Sequence, residues 1–277
     1  MKYVYGNVVL VTGASSGIGK SIAEYLMKNG FKVYGTSRNV PGGSGKLIAS
    51  EGEGFIKMVQ LDVCNESSVT EAIKYITDQE GSIDIVINNA GYGIAGSVED
   101  TDPSEAFGQF DTNFFGVHRV CRNVIPIMRA RKKGLIINMS SVAGLISIPY
   151  QSMYSASKYA LEAMTEAMRI ELGQFGIKVS LIEPGDTKTG FTGSRQNVKA
   201  ANEDSAYYKK FIKSIETMAK SEMSGPDPLI VAKVVKRIIS RKNPPVRKTV
   251  GLSYKLIVFL KRLVPSRLLV YIVGKLY

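Results

Sequence analysis

The sequence is poor in the residues that metal centres and disulfide scaffolds need. Its 277 residues include one histidine, His118, two cysteines, Cys64 and Cys121, and no tryptophan. A single histidine excludes a zinc site built on several imidazoles, and a Ser-His-Asp hydrolase would have to use His118. Two cysteines without a CxxC motif form neither a disulfide framework nor a metal-binding pattern. We therefore expect a reducing, cytoplasmic environment and inert thiols.

Acidic residues are absent from the last fifty positions. Asp227 is the final carboxylate side chain, and twelve lysines and arginines follow it. The net charge of +12 lies entirely in this segment, because residues 1–227 hold 24 basic and 24 acidic side chains. Such asymmetry predicts an anionic partner, either a membrane surface or nucleic acid. No recognised nucleic-acid-binding motif accompanies the charge, so we expect no nucleic-acid partner.

The tail, residues 251–277, lacks the run of about 20 apolar residues that a membrane span needs. Five apolar side chains of its second half share one helical face: Leu268, Leu269, Ile272, Val273 and Leu276. Basic residues beside such a stripe predict amphipathic helices that lie in a membrane interface, and hence a peripheral membrane contact. The alternative left open is that the stripe packs over the protein's own pocket or against another subunit.

Apolar runs and amphipathic stretches alternate along the first 250 residues. The runs predict seven buried strands: Val8–Val11, Phe31–Thr36, Phe55–Leu61, Ile83–Ile87, Leu135–Asn138, Ile177–Ile182 and Val246–Val250. The stretches between them predict helices: Ile18–Asn29, Glu66–Asp78, a helix from Pro103 leading into a long one through Asn113 to Arg129, Tyr154–Leu172, about Tyr207–Lys220, and Leu229–Ser240. Continuous apolar strands separated by helices are typical of a parallel sheet covered on both faces.

We therefore predict an α/β fold, a Rossmann-type doubly wound parallel sheet with helices on both faces. One domain occupies residues 1–250, and the basic helical extension at 251–277 follows it. Residues 186–226 are polar and irregular and come directly after a strand, which is typical of a substrate lid or binding loop.

The first predicted strand leads into a glycine-rich turn, TGASSGIG, over Thr12–Gly19. Glycines there allow close backbone approach, and the following helix offers free N–H groups to a pyrophosphate. The second strand ends in Gly35–Arg38 without the carboxylate that would bind a ribose 2′-hydroxyl. Arg38, helped by Ser16, suits a 2′-phosphate, so the sequence predicts NADP(H) in preference to NAD(H). The alternatives are a plain βα turn and a solvated Arg38.

Tyr154 and Lys158 stand four residues apart in a predicted helix and so share one face. An ammonium beside a phenol favours the phenolate and lowers its pKa from about 10. The pair therefore predicts an acid–base group, with Lys158 lowering the pKa of Tyr154.

In combination these motifs resemble the short-chain dehydrogenase/reductase family in its single-domain form, and most closely its 17β-hydroxysteroid and retinol dehydrogenase branch. The resemblance covers residues 4–190 and extends toward the strand near residue 250. The motifs are TGASSGIG, the NNAG sequence at 88–91, Asn113 in DTNFFG, Ser141 thirteen residues before Tyr154, Tyr154-xxx-Lys158, and Pro184-Gly185 with Thr189.

The resemblance implies roles for these residues. Tyr154 would exchange a proton with the substrate oxygen, and Ser141 would donate a hydrogen bond to it, with Ser140 as the rival serine. Lys158 would also hold the nicotinamide ribose, and Asn113 would hold a water that joins Lys158 to solvent. The implied cofactor-binding residues are Gly13, Ser15, Ser16, Gly17, Ile18, Gly19, Arg38, Asp62, Val63, Asn89, Ala90, Gly91, Tyr154, Lys158, Pro184, Gly185, Thr187 and Thr189.

The substrate end of the site is predicted to be apolar. Its expected contacts are Ser141, Tyr92, Leu145, Tyr150, Tyr154 and Phe191, with no cluster of basic residues for an anionic group. This composition favours an apolar alcohol or ketone, such as a steroid, a retinoid or a lipid. The family resemblance also implies a dimer or tetramer through two long helices. The alternative functions are a non-catalytic NADP(H)-binding sensor and a membrane-associated interaction protein of the same fold.

Overall fold

The computed structural model describes residues 3–277. Its strands are β1 (Val8–Val11), β2 (Lys32–Ser37), β3 (Lys46–Glu51), β4 (Gly54–Gln60), β5 (Ile85–Asn88), β6 (Ile94–Ala95), β7 (Gly134–Met139), β8 (Ile177–Glu183), β9 (Gln196–Asn197) and β10 (Arg247–Thr249). Its α-helices are α1 (Gly17–Met27), α2 (Glu66–Glu80), α3 (Pro103–Phe110), α4 (Gly116–Ala130), α5 (Ser152–Gly173), α6 (Phe191–Ser194), α7 (Tyr208–Met223), α8 (Leu229–Ile239), α9 (Leu252–Lys261) and α10 (Ser266–Leu276).

Eight strands form one twisted sheet in the order β10-β8-β7-β5-β1-β2-β4-β3. All neighbouring pairs are parallel except β3 and β4, which run antiparallel. The strand order reverses at β1, which pairs on one side with β2 and on the other with β5, the first strand of the half of the sheet that continues through β7 and β8 to β10. This is the doubly wound Rossmann arrangement, so the predicted fold class is confirmed.

The core has two halves because successive strand residues point to opposite faces of the sheet. Val9 and Val11 pack with side chains of α1 and α8, such as Leu26 and Val235, in one cluster. Val8 and Leu10 belong to a second cluster with residues of α2, α4 and α5. Burial of each such side chain contributes roughly 1.5–3 kcal/mol, so both faces hold the strands in place.

The edge strand β3 was not predicted. The sequence pattern indicates only a loop at Pro41–Gly45 before the strand that follows. β3 pairs with a single neighbour, and its Leu47 and Ile48 are more than half exposed. A search for buried apolar runs cannot find a strand that buries almost nothing on either face.

The predicted long helix through Asn113 to Arg129 is also interrupted. Residues Asp111–Phe115 form one π-helical turn between α3 and α4. Within it, the Asn113 amide donates to the Tyr92 carbonyl at 3.0 Å, and its oxygen accepts from the Tyr92 N–H at 3.1 Å. These paired bonds hold the turn against the loop after β5, and π-turns of this kind are frequent at functional sites.

The two tail helices, α9 and α10, fold back over the body of the protein. Among residues 3–277, no helix combines the length and the apolarity that crossing a bilayer requires.

Candidate active site

One large cavity of about 1080 Å³ opens at the carboxyl ends of the parallel strands. Its wall brings together most of the residues singled out from the sequence: Gly13, Ser15, Ser16, Gly17, Ile18, Arg38, Asp62, Val63, Asn89, Ala90, Gly91, Tyr92, Ser141, Tyr154, Lys158, Pro184, Gly185, Thr187, Thr189 and Phe191. The crevice outside the strand ends is where open α/β sheets bind their ligands.

Four of the predicted residues do not line the cavity. Tyr150 turns its ring edge-on against Phe211, and the Leu145 carbonyl accepts a hydrogen bond from the Tyr159 hydroxyl. Their assignment as substrate contacts stays a prediction. Gly19 is buried behind the glycine turn. A side chain there would meet the Gly13 carbonyl at 2.3 Å, which makes Gly19 a packing position. Asn113 is buried one layer behind the wall.

The glycine turn is fixed by the loop that follows β5. Gly13 has φ +66°, and a Cβ on it would come within 2.9 Å of the Ala90 Cα. The Thr12 hydroxyl accepts hydrogen bonds from the N–H groups of Asn89 and Ala90 at 2.9 and 3.0 Å. The Asn89 amide in turn donates to the carbonyls of Thr12 and Gly13. The two strand ends are thereby joined into one rigid cradle.

This cradle fits a dinucleotide phosphate. Gly17 has φ +53°, and a Cβ on it would protrude toward Thr189, its nearest neighbour at 3.5 Å. Ser16 precedes the first turn of α1 in an extended conformation, and its hydroxyl makes no capping bond. The helix terminus therefore presents free N–H groups and an uncommitted hydroxyl to the cavity. Arg38 is exposed on the wall after β2 and makes no salt bridge within residues 3–277.

The side chains of Tyr154 and Lys158 project into the cavity from the first turns of α5. The Lys158 ammonium lies 5.8 Å from the centre of the Tyr154 ring and donates to the Met139 carbonyl at 2.9 Å. Lys158 is buried, and its desolvation lowers its pKa to about 8, against the opposing effect of the Glu162 carboxylate. The backbone of Gly91 passes beside this ammonium, since a Cβ there would lie 3.8 Å from it, an ordinary contact distance.

The expected lowering of the Tyr154 pKa is wrong for this structure, because the net shift is upward. Burial raises the pKa of the phenol to about 12, and the carboxylates of Glu222 and Asp186 add to the increase. The Ser141 hydroxyl and Arg195 act in the opposite direction but do not overcome burial. Desolvation is therefore the dominant effect, and Tyr154 is a neutral phenol near pH 7.

Both serines that follow β7 line the cavity, but in different surroundings. The Ser141 oxygen accepts from the Ala143 N–H at 3.1 Å and lies close enough to Tyr154 to affect its pKa. Ser140 is buried, and its hydroxyl has no hydrogen-bond partner within residues 3–277. Ser141 is thus the serine beside the phenol, as the spacing in the sequence indicates.

Asn113 connects the wall to the base of α5. Its amide donates to the Ser157 hydroxyl at 3.2 Å as well as to the Tyr92 carbonyl, and its oxygen lies 3.0 Å from the position of a Cβ on Gly91. A Cβ at the same position would also approach the Lys158 ammonium, so Asn113 and Lys158 flank Gly91.

Asp62, at the other end of the cavity, accepts from the Cys64 N–H at 3.0 Å. It is therefore both a turn residue and a wall residue.

Several wall residues were not found from the sequence. Asp186 accepts a hydrogen bond from the Tyr254 hydroxyl at 2.7 Å, and Glu222 pairs with Arg195. The tail contributes a larger set of wall residues: Tyr254, Ile257, Leu260, Lys261, Val264, Leu269, Ile272, Val273, Leu276 and Tyr277. All of the predicted α10 stripe except Leu268 thus lines the protein's own cavity, which is the alternative left open by the sequence. Only its helical periodicity signals this contact in advance.

Two curated relatives align along most of the chain. The 3-ketodihydrosphingosine reductase of Bacteroides thetaiotaomicron is 42% identical over 244 residues, 88% of this chain and 87% of that protein. Retinol dehydrogenase 8 of Bos taurus is 34% identical over 270 residues, 93% of this chain and 86% of that protein. The predicted similarity to retinol dehydrogenases is thereby confirmed.

A solved structure and a family model agree with these relatives. The structure of ElxO with NADP bound superposes with a TM-score of 0.72 at 27% identity and covers 90% of this chain and 99% of its own. The model for the short chain dehydrogenase family matches residues 7–200. The protein therefore belongs to the short-chain dehydrogenase family of oxidoreductases.

Proposed function

We propose that this protein is an NADP(H)-dependent oxidoreductase that interconverts an apolar ketone and its alcohol. The observation that carries the proposal is the sharing of one cavity by the Tyr154–Lys158–Ser141 group, the glycine turn and the exposed Arg38. Family membership and the NADP-bound relative ElxO support a nicotinamide cofactor.

The cofactor would lie along the wall from Asp62 to Thr189. Its pyrophosphate would bind at the start of α1, where Ser16 and free N–H groups face the cavity. Arg38 would pair with the 2′-phosphate that distinguishes NADP(H) from NAD(H). When bound, NADPH supplies a hydride equivalent to the carbonyl carbon.

The protein's own part in the reaction is to move the proton. In reduction, the neutral phenol of Tyr154 donates its proton to the substrate oxygen, and the Ser141 hydroxyl stabilises the negative charge that develops there. The Lys158 ammonium lies beside the phenolate that remains and favours its formation. Because burial keeps the resting phenol protonated near neutrality, Tyr154 is ready to donate a proton in the direction of reduction.

The substrate class follows from the part of the wall beyond Tyr154. Ile146, Ile148 and Phe191 line it from the body, and the apolar face of the tail lines it from above. A relative named for reducing a keto-sphingoid, at 42% identity, favours a long-chain lipid ketone over a steroid or retinoid.

The experiment is a substrate panel in which NADPH fluorescence is followed with long-chain keto-lipids, ketosteroids, retinal and short aliphatic ketones. NADH serves as the control cofactor. We expect the fastest NADPH loss with a long-chain keto-lipid. NADPH binding without turnover on any ketone would indicate a sensor and contradict the proposal.

A further inference from the structure

Helix α9 is apolar on two opposite faces. One face carries Tyr254, Ile257 and Lys261, which line the cavity. The opposite face carries three exposed apolar side chains spaced by four and three residues, Leu252, Leu256 and Phe259, and the exposed Leu263 follows in the turn after the helix. At 3.6 residues per turn the three helical residues fall in a single narrow stripe, which Leu263 extends beyond the end of the helix. The stripe points away from the body, and Leu252 is 83% exposed.

Helix α10 likewise has an inner face toward the cavity and an exposed outer face, and its outer face carries basic residues. Its inner face, including Leu269 and Val273, lines the cavity. Arg267, Tyr271 and Lys275 follow one another at intervals of four on the other side, and all three are exposed. The Lys275 ammonium lies 5.7 Å from the centre of the Tyr271 ring. A tyrosine between cations is typical of side chains at a membrane–water boundary.

The charge on this surface has one sign. Lys255 and Arg262, seven residues apart, lie on one flank of the α9 stripe and are exposed. Together with Arg267 and Lys275 they make four outward cations, and no carboxylate side chain occurs after Asp227. An exposed apolar stripe bordered only by cations is complementary to a surface that is anionic outside and apolar just beneath.

We propose that the outer face of α9 and α10, named here the tail face, docks on an anionic phospholipid bilayer. Leu256, Phe259 and their stripe enter the boundary between headgroups and acyl chains, and the four cations pair with lipid phosphates and carboxylates. The tail face is defined by Leu252, Lys255, Leu256, Phe259, Arg262, Leu263, Arg267, Tyr271 and Lys275.

Docking in this way places the substrate cavity against the membrane. The same two helices form the cavity wall on their inner side, so only one helical layer separates the bilayer from Tyr154. A lipid ketone then passes between α9, α10 and the body without crossing water. This consequence rests on the proposed function, whereas the docking itself does not.

The test is co-sedimentation of the full chain with vesicles of phosphatidylcholine alone or mixed with phosphatidylserine, at low and high salt. We expect binding only to the anionic vesicles, weakened by salt. Lys255→Gln with Arg262→Gln should weaken it roughly 30-fold, because each cation near such a surface contributes about a factor of five. Leu256→Ser with Phe259→Ser should weaken it by more than about tenfold.

Matched controls lie on the body. Lys20→Gln with Lys74→Gln removes two exposed cations, and Leu47→Ser with Ile48→Ser removes two exposed apolar side chains, all away from the tail. These variants should bind vesicles as the parent does. Equal weakening by tail and body variants, or no vesicle binding by the parent, would overturn the proposal. A parent that is dimeric by light scattering and becomes monomeric on Leu256→Ser with Phe259→Ser would assign the face to a second copy and also overturn it.

Turnover of a water-soluble ketone with NADPH separates the two proposals. The tail-face variants should keep that rate, because none of their changed side chains lines the cavity. Vesicle binding without turnover on any ketone would leave docking intact and contradict only the proposed function. Turnover without vesicle binding would contradict the docking proposal and leave the proposed function intact.

Discussion

At the scale of single residues, burial acts on the two titratable groups of the site in opposite senses. It lowers the pKa of Lys158 to about 8 and raises that of Tyr154 to about 12. Both shifts favour the uncharged side chain, since desolvation penalises an ammonium and a phenolate alike. The Tyr–Lys spacing predicts that the two groups meet, but it carries no information on their desolvation. For this reason the lowered pKa that the spacing predicts for Tyr154 is wrong.

The pH dependence of reduction follows from these shifts. Tyr154 is protonated throughout the working range, and Lys158 is charged below about pH 8 and neutral above it. We therefore expect kcat/KM for ketone reduction to be level below pH 8 and to fall roughly tenfold per unit above it. Lys158→Arg should move the fall to higher pH in whatever activity it retains. A parent profile that stays level to pH 10 would contradict the assignment of Lys158.

Arg38 is expected to set the choice of dinucleotide. Replacing it by aspartate removes a charge-assisted bond to the 2′-phosphate and adds a repulsive carboxylate. We expect kcat/KM with NADPH to fall roughly 100-fold while kcat/KM with NADH rises or stays level. Lys57→Asp, a change at a cation outside the cavity wall, is the matched control. An equal loss with both cofactors would contradict the NADP(H) preference.

At the scale of elements, the last strand is held to the site helix by a partly buried ion cluster. Arg247 of β10 bonds Glu162 of α5 at 2.7 Å and Glu166 at 2.5 Å, and lies 3.5 Å from Glu183 of β8. Glu162 and Glu183 are both buried, and burial raises the pKa of Glu183. Glu162 also lies one helical turn after Lys158, so this cluster positions α5 at the site.

Removing the cation of this cluster should destabilise the fold. Arg247→Met leaves two buried carboxylates without their partner, which costs roughly 3 kcal/mol in the free energy of unfolding. The measurement is urea unfolding followed by circular dichroism. Arg122→Met, which breaks an exposed pair with Glu66, should change the free energy by less than about 0.5 kcal/mol. A similar decrease in the free energy of unfolding in both variants would contradict a stabilising role for the cluster.

The elements differ in how far the sequence predicts them. Each strand with a continuous apolar run was placed to within about two residues, because burial on both faces forces that pattern. β3 and the π-turn at Asp111–Phe115 were missed for the opposite reason. The first buries little, and the second depends on hydrogen bonds to Tyr92, which is distant in sequence.

At the scale of the whole molecule, the two ends of the chain meet at one cavity. The glycine turn comes within the first twenty residues, and the tail closes the same space from the other side. The sequence predicts that the tail is amphipathic and basic. It does not show that the helices are apolar on both sides, because the partner of the inner face comes from the folded body. The dimer or tetramer expected from the family stays a prediction.

The central claim is that Tyr154 transfers the proton while a nicotinamide cofactor transfers the hydride. Its most direct test compares the parent with Tyr154→Phe for NADPH binding, by fluorescence titration, and for ketone-dependent NADPH oxidation. The account predicts a dissociation constant within about threefold of the parent and turnover lower by roughly 10²–10⁴. Turnover by Tyr154→Phe at the parent rate, with NADPH binding intact, would contradict it.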